Sequence, residues 1–210
     1  MKIQVFSDIV CPWCYIGERR LTRALESVAS DAFEVEFRPF QLDPATPVEA
    51  LPLTQYLEKR FAGRPVDSMM NRVTRTAAEE GITIAWEHGQ IANTRTAHRL
   101  MAWTMKEYGE KVQRALAEQL FALHFTNGGN IGDVDELATA AALAGVNADR
   151  ARAHLNSTDG VQELDDALAS ARRGVQAVPT YVIDDRFVIQ GAQPLATFVA
   201  TLAEAIRTRQ

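Results

Sequence analysis

The first forty residues contain two β-like segments separated by one helix-like segment. Residues 2–7 (KIQVFS) form a short run of β-favouring side chains, and residues 33–40 (FEVEFRPF) alternate apolar and polar positions. Between them, residues 12–30 have the spacing of an amphipathic helix, whose apolar face is formed by Leu21, Leu25 and Val28. The pattern predicts a βαβ unit, in which a right-handed crossover is expected.

Helical periodicity dominates the middle of the chain. The proline-containing residues 41–53 predict a linker, and from about Thr54 to Arg173 the hydrophobic pattern indicates almost only helices. Asn93 is a candidate N-cap for one of them, and the last helix of this block is predicted over residues 159–173. Helix ends are expected at the glycines where the periodic segments stop, Gly81, Gly109 and Gly145.

The β pattern returns near the C-terminus. Residues 180–183 (TYVI) and 186–190 (RFVIQ) predict two strands, joined across Asp184 and Asp185 by a tight hairpin turn. A last amphipathic helix follows. Its predicted buried stripe is Leu195, Phe198, Val199, Leu202 and Ile206. The predicted layout is therefore βαβ, a helical block, and then ββα.

Composition and charge fit a globular protein and narrow its partners. The chain has 210 residues, 47% of them hydrophobic and 23% charged, and a formal net charge of −5. Because nucleic-acid-binding proteins carry a basic surface, nucleic acid is not an expected partner. No apolar stretch reaches the ~20 residues that span a membrane, and the first residues lack a secretory signal pattern. The sequence predicts a cytoplasmic protein with no membrane partner.

The chain has two cysteines, Cys11 and Cys14. A structural zinc site needs four ligands, and the histidines lack the spacing that would complete one, so neither a metal nor a cofactor is expected. A permanent disulfide is rare in the cytoplasm. Two ordinary buried thiols do not fit a strand-to-helix junction, which is expected at the surface. The remaining interpretation is a redox pair.

The residues around the cysteines support that interpretation. With Cys11 as the N-cap, Pro12 takes the first helical position, where its fixed φ suits the helix. The backbone N–H groups of Trp13 and Cys14 and the helix dipole are expected to face the Cys11 sulfur and to favour its thiolate. Cys14 lies one turn further on and can attack a mixed disulfide on Cys11. Cys11 is the predicted nucleophile and Cys14 the predicted resolving thiol.

A strand that leads into Cys-Pro-Trp-Cys at the start of a helix resembles the thioredoxin superfamily. The helical block is similar to that of DsbA-family oxidoreductases, and the segments SDIVCPWCYIG, NTRTAHRL and FVIQGAQP resemble the FrnE-like branch. The resemblance covers essentially the whole chain. It implies an α/β, thioredoxin-like fold made of residues 1–50 and 165–210, with residues 51–164 as a large inserted all-helical domain.

The segment GVQAVPT, residues 174–180, carries a second part of the resemblance. In the thioredoxin superfamily a cis-proline loop lies opposite the dithiol, and Pro179 matches that proline. This implies a cis Val178–Pro179 bond, with the Val178 backbone free to pair with an extended substrate. Trp13 is expected to form an apolar wall of the same substrate site. An ordinary trans-proline at the start of a strand is the alternative.

Two positions depart from the family pattern. Trp13 stands where DsbA-type enzymes often have a histidine that makes the thiolate more acidic. Val5 stands where many superfamily members carry a buried carboxylate that handles the proton of the second cysteine. Asp8 is the nearest acid, and it either caps the loop or takes over that role. His98 and Asn93 are expected to be structural.

The leading hypothesis is a thiol–disulfide oxidoreductase that acts on protein or small-molecule disulfides, with glutathione or another thiol as candidate reductant. The alternative is a glutathione-dependent isomerase or a kappa-class-like glutathione transferase, because these enzymes resemble the same architecture. They typically have serine at the position of Cys11 and no second cysteine, so Cys14 argues against them. A third alternative is a non-catalytic binding module that uses the groove beside Pro179.

Overall fold

A four-stranded mixed sheet lies at the centre of the computed structural model, which describes residues 1–28 and 32–208. Strand β1 (Lys2–Ser7) runs parallel to β2 (Glu34–Pro39) and antiparallel to β5 (Thr180–Ile183), and β5 pairs with β6 (Phe187–Gln190) in antiparallel fashion. The strand order is β2-β1-β5-β6. The predicted βαβ and ββα halves are confirmed, and they meet where β1 pairs with β5.

The β5–β6 hairpin turns at Asp184 and Asp185, as the sequence predicts. Both residues have positive φ values, 53° and 54°. Short acidic side chains tolerate this left-handed region better than most, because they can hydrogen-bond to the nearby backbone. The two aspartates therefore reverse the chain without a glycine.

Helices α1 (Pro12–Ser27) and α9 (Leu195–Arg207) pack against each other over one face of the sheet. Tyr181 of β5 is fully buried beneath them, and its ring makes an edge contact with Phe198 of α9 at a centroid distance of 4.9 Å. Helix α1 ends at Ser27, because Val28 is an extended C-cap residue, so the predicted helix is too long at Val28, and its predicted end at residue 30 lies outside the described residues.

Seven helices connect β2 to β5 within the described residues. They are α2 (Leu53–Arg60), α3 (Val66–Glu79), α4 (Arg95–Tyr108), α5 (Glu110–Phe121), α6 (Val134–Leu143), α7 (Ala148–Leu155) and α8 (Val161–Gly174). A π-helical turn, Ala122–Thr126, continues α5. None of these helices, nor α1 or α9, is long and apolar enough to cross a membrane in the described part of the chain.

The expectation that residues 51–164 form an all-helical domain is wrong in one detail. A two-stranded antiparallel ladder joins β3 (Leu51–Pro52) to β4 (Gln90–Ile91). Two residues are too few to show the alternation that marks a strand, so the sequence pattern misses them. The sequence pattern also does not predict α7 as a separate helix. The predicted boundary after residue 164 falls within α8, and the division into domains stays a prediction.

The predicted N-cap of α4 is displaced by one residue. Thr94 takes the N-cap position, and the side chain of Asn93 is bound to the preceding loop, where its amide donates to the carbonyls of Pro44 and Thr46. The side-chain oxygen Oδ1 of Asn93 still accepts the backbone N–H of Arg95 at 3.0 Å. Asn93 is therefore structural, as expected, and it ties the 44–46 loop to the start of α4.

The helical block is fastened to α1 by stacking and by a buried ion pair. The ring of Tyr15 stacks on Phe121 with centroids 5.2 Å apart. Glu18 is 3% exposed, and its carboxylate accepts from Nε of Arg114 at 2.7 Å. Because an unpaired buried carboxylate would be costly, this pair fixes the position of α5 relative to α1.

The outer edge of β2 is covered by a glutamine of α5. The side-chain oxygen of Gln113 accepts the backbone N–H of Phe37 at 2.8 Å, and its amide donates to the Phe37 carbonyl at 3.1 Å. Gln113 thus replaces a neighbouring strand at this point and satisfies backbone groups that would otherwise be left unpaired.

Gly17 allows α1 to lie directly on β5. A methyl group at this position would overlap the hydroxyl oxygen of Tyr181 and lie 3.3 Å from Cγ of Pro179. The residue is buried in the first half of α1, three positions after Cys14. A side chain at this contact would push the helix that carries the cysteines away from the Pro179 loop.

We expect Gly17→Ala to destabilise the protein, although alanine is the better helix former by about 1 kcal/mol. Overpacking against Tyr181 should lower the free energy of unfolding by about 1–3 kcal/mol, as measured by urea denaturation. Gly174→Ala is the matched control, because Gly174 also lies in a helix and a methyl group there would have no other atom within 4 Å. Equal stability of the two variants would contradict the close-contact argument.

Candidate active site

The Cys-Pro-Trp-Cys segment lies where β1 ends and α1 begins. Cys11 is the N-cap of α1, with φ −93° and ψ 110°, and Pro12 is the first helical residue. The backbone N–H of Cys11 donates to the carbonyl of Asp8 at 3.0 Å, which closes a tight turn before the helix. The local structure matches the sequence prediction at all of these positions.

The expected contacts between the helical amides and the Cys11 sulfur are not present in the described residues. The backbone N–H of Cys14 donates to the Cys11 carbonyl at 2.9 Å, and no side-chain cap bond is formed at the helix start. The Cys11 sulfur instead lies 3.8 Å from the carbonyl oxygen of Val178. The predicted contacts with the sulfur are wrong for two reasons. The Cys14 N–H is used by the Cys11 carbonyl, and the Cys11 thiol points towards the loop that contains Pro179.

Both thiols are more buried than a surface junction suggests. Cys11 is 3% exposed and Cys14 is 2% exposed, and both are free thiols. Burial raises the pKa of Cys14 well above its usual value, and the neighbouring Cys11 thiol raises it further, whereas a contact with the Ser7 hydroxyl lowers it. Cys14 is therefore a protonated thiol at neutral pH.

The loop before β5 forms the opposite wall of the site. The Val178–Pro179 peptide bond is cis, and the Val178 carbonyl faces Cys11. The loop is held from both sides, because the Thr180 hydroxyl donates to the Ala177 carbonyl at 2.7 Å and the Gly191 N–H donates to the Pro179 carbonyl at 2.8 Å. The backbone beside the dithiol is thus fixed by strand and turn contacts.

Cys11 opens onto a cleft with a volume of about 390 Å³. Pro12, Trp13 and Val178 line the same cleft, so four of the predicted site residues are brought together. The other walls come from α2, α3 and the π-helical turn. The helical block therefore supplies most of the surface that faces the dithiol. We name this space the dithiol cleft.

A buried aspartate–histidine pair lies behind the dithiol. Asp8 is 1% exposed, and its carboxylate accepts the backbone N–H of Leu42 at 2.7 Å. Nε2 of His98 lies 3.2 Å from the same carboxylate and 2.9 Å from the carbonyl of Phe40. Both partners are acceptors, so Nε2 carries the proton and donates. The pair ties the turn before Cys11, the end of β2 and helix α4 together.

His124 is one residue of the cleft that sequence reasoning missed. It is 1% exposed and lines the dithiol cleft, and neither ring nitrogen has a hydrogen-bond partner within the described residues. Burial lowers its pKa from 6.5 to about 4, although Asp8 and the nearby backbone of Gln90 act in the opposite direction. The signal is its position on a π-helical turn, a feature that often marks functional sites but has no sequence pattern.

The fold and the paired cysteines define a thioredoxin-fold protein with a helical insertion and a dithiol at the start of α1. The family model described as a DSBA-like thioredoxin domain matches residues 2–203. The chain belongs to this DSBA-like family.

Solved structures agree with the assignment. The crystal structure of the probable DsbA oxidoreductase SCO1869 from Streptomyces coelicolor is 28% identical, with a TM-score of 0.89 over 100% of this chain and 92% of that chain. A 2-hydroxychromene-2-carboxylate isomerase is 16% identical, with a TM-score of 0.74 over 100% of this chain and 98% of that chain. The cytosolic disulfide reductase DsbM from Pseudomonas aeruginosa with GSH is 17% identical, with a TM-score of 0.68 over 99% of this chain and 100% of that chain. The last two share the fold.

We expect the buried, neutral state of His124 to make the stability of the fold depend on pH. The unfolded chain takes up a proton near pH 6.5, whereas the folded chain does so near pH 4. The contribution of neutral His124 to the free energy of unfolding is complete above pH 6.5. It is lost as the pH falls from 6.5 towards 4, because the unfolded chain then binds a proton that the folded chain does not. Between pH 7 and pH 4 the wild type should lose up to about 3 kcal/mol more unfolding free energy than His124→Phe.

Urea denaturation of both proteins at several pH values measures this difference. Parallel stability profiles for the wild type and His124→Phe would show that the imidazole is not held neutral by burial.

Proposed function

We propose that the protein is a thiol–disulfide oxidoreductase that exchanges disulfides with protein or small-molecule substrates through Cys11 and Cys14. The observation that carries this proposal is the difference between the two thiols. Cys11 lines the dithiol cleft, whereas Cys14 lies beneath it with a raised pKa. The Cys11 thiol faces the cleft, although only 3% of the residue is exposed, and the Cys14 thiol is kept protonated by burial.

The exchange follows from this arrangement. The Cys11 thiolate attacks one sulfur of the substrate disulfide, forms a mixed disulfide and releases the first substrate thiolate. Cys14 then loses its proton and attacks the Cys11 sulfur, which releases the second substrate thiolate and leaves a Cys11–Cys14 disulfide. Two electrons pass to the substrate. The reverse sequence oxidises a substrate dithiol, since each step is an exchange of one disulfide for another.

The Val178 backbone and Trp13 are the proposed substrate contacts. The Val178 carbonyl lies 3.8 Å from the Cys11 sulfur, so a substrate held against this loop would have its disulfide beside the nucleophile. Main-chain pairing would bind an extended segment without requiring a particular sequence. Pro179 shapes the loop, and Trp13 forms the apolar wall.

The proposal includes a cellular setting. We assign the protein to the FrnE-like branch of the family and to the cytoplasm. Glutathione or another thiol is its proposed reductant. The bound GSH of DsbM belongs to a protein that shares the fold at 17% identity, and it supports the choice of glutathione as the first reductant to test.

We predict that Cys14→Ser accumulates mixed disulfides, because the resolving thiol is missing, whereas Cys11→Ser forms none. The measurement is mass spectrometry of each variant after incubation with oxidised glutathione and with a disulfide-bonded protein such as insulin. Trapping by Cys11→Ser would reverse the assignment of the two roles.

The same variants distinguish the alternative function. A glutathione-dependent isomerase or transferase has no use for a resolving thiol. Full turnover of a glutathione-dependent reaction by Cys14→Ser, together with no trapped mixed disulfide, would contradict the oxidoreductase proposal.

A further inference from the structure

The dithiol cleft has the size and the walls of a small-molecule site. Its volume of about 390 Å³ falls within the range of about 300–1,000 Å³ typical of such sites. Its lining is predominantly apolar and includes Trp13, Leu57, Phe61, Met69, Met70 and Val73. The body of a ligand that fills this space would be apolar.

The charges in the cleft do not cancel. Two arginines and one aspartate line it. Asp43 is already engaged, because it pairs with Arg60 at 3.3 Å and accepts from the Tyr56 hydroxyl at 2.9 Å. Arg72 has no acidic partner among residues 1–28 and 32–208, and its guanidinium lies 5.3 Å from the centre of the Trp13 ring. The uncompensated charge therefore lies next to the dithiol motif.

The surface next to the cleft extends this positive charge. Arg72 also lines an adjoining open depression together with Arg64 and Arg75, and neither of these has a carboxylate partner in the described part of the chain. Three unpaired arginines at one place are notable in a protein whose formal net charge is −5. This arrangement of exposed positive charges attracts an anion to the mouth of the cleft.

His124 provides a second, independent indication of a ligand. Its imidazole is buried in the cleft wall, and neither ring nitrogen forms a hydrogen bond of normal geometry within the described residues, although the Gln90 backbone lies close to the ring. A neutral imidazole has one donor and one acceptor nitrogen. A buried polar group without a partner costs free energy, and a polar atom of a ligand would satisfy it.

We propose that the dithiol cleft binds a low-molecular-weight disulfide that has an apolar aromatic body and a carboxylate. Arg72 binds the carboxylate, the apolar walls hold the body, and His124 hydrogen-bonds to a polar atom of the ligand. This assignment rests on the proposed function and specifies its substrate class. Glutathione disulfide fits less well, because its peptide body is polar and the cleft walls are apolar.

The aromatic disulfide 5,5′-dithiobis(2-nitrobenzoate) is a suitable probe of this site. Attack by the Cys11 thiolate forms a mixed disulfide and releases one thionitrobenzoate. Attack by Cys14 on the Cys11 sulfur releases the second and leaves the Cys11–Cys14 disulfide. The protein loses two electrons and the reagent gains them, and the two thiol protons pass to the solvent. An uncharged aromatic disulfide, 2,2′-dithiodipyridine, undergoes the same reaction.

Stopped-flow absorbance on the reduced protein measures the first thiolate release with each reagent. With the wild type, the rate constant should saturate as the nitrobenzoate concentration rises, because a complex forms before the attack. Arg72→Gln should lower the rate with the nitrobenzoate reagent about tenfold, the effect of losing one charge-assisted hydrogen bond. The rate with dithiodipyridine should change less than about twofold.

The matched control for Arg72→Gln lies outside the cleft. Arg186→Gln removes an exposed charge at the β5–β6 turn, the end of β5 opposite Pro179, and should leave both rates unchanged.

His124→Phe tests the second contact with the ligand. It should raise the half-saturating nitrobenzoate concentration several-fold. The corresponding control is His154→Phe, because His154 is also a buried histidine but lines a different depression beside Trp103.

The outcomes separate this assignment from the proposed function. Suppose that two thiolates are released per chain, but the rate never saturates or Arg72→Gln affects both reagents equally. This result would overturn the anionic substrate class and leave the oxidoreductase function standing. Failure to release two thiolates with either reagent would overturn the oxidoreductase function and the substrate class with it.

Discussion

The site depends on one close contact, that of helix α1 with the start of strand β5. Gly17 lies against Tyr181 and Pro179, at a distance that leaves no room for a methyl group. This contact sets the depth at which α1 enters the fold. It thereby determines that the Cys11 sulfur, at the end of the same helix, lies 3.8 Å from the Val178 carbonyl. A dithiol and a proline loop that are far apart in sequence become two walls of one site.

The helical block completes the site and also buries it. Helix α5 is joined to α1 through the Tyr15–Phe121 stack and the Arg114–Glu18 pair, and the π-helical turn after α5 carries His124 into the cleft. Without these elements the dithiol would lie on an open surface, as the sequence suggested. The helical block therefore supplies most of the cleft that Cys11 faces, whereas the groups that, besides burial, shift the pKa of Cys14, namely Cys11, Ser7 and Asp8, belong to the first strand and the turn after it.

Most of the fold could be predicted because it depends on local patterns. The strands, the hairpin at Asp184 and Asp185, and the start of α1 at Pro12 all have recognisable residues at fixed spacing. The β3–β4 ladder could not be predicted, because two residues carry no periodicity. The same limit applies to the site, since the cysteine pair is recognisable from its spacing, whereas His124 and Arg72 become meaningful only when distant helices bring them beside the thiols.

The hydrogen bonding around the dithiol separates the residues that hold it from those that face a ligand. Asp8 and His98 are buried and bonded to each other and to the backbone, so they are part of the framework. His124 is equally buried but unpartnered in the described residues. Lack of a partner alone is not decisive, because Thr104 and His154 also have unpartnered buried atoms away from the cleft. The distinguishing feature of His124 is that it shares a cleft with Cys11 and with the uncompensated charge of Arg72, so that one ligand can satisfy both.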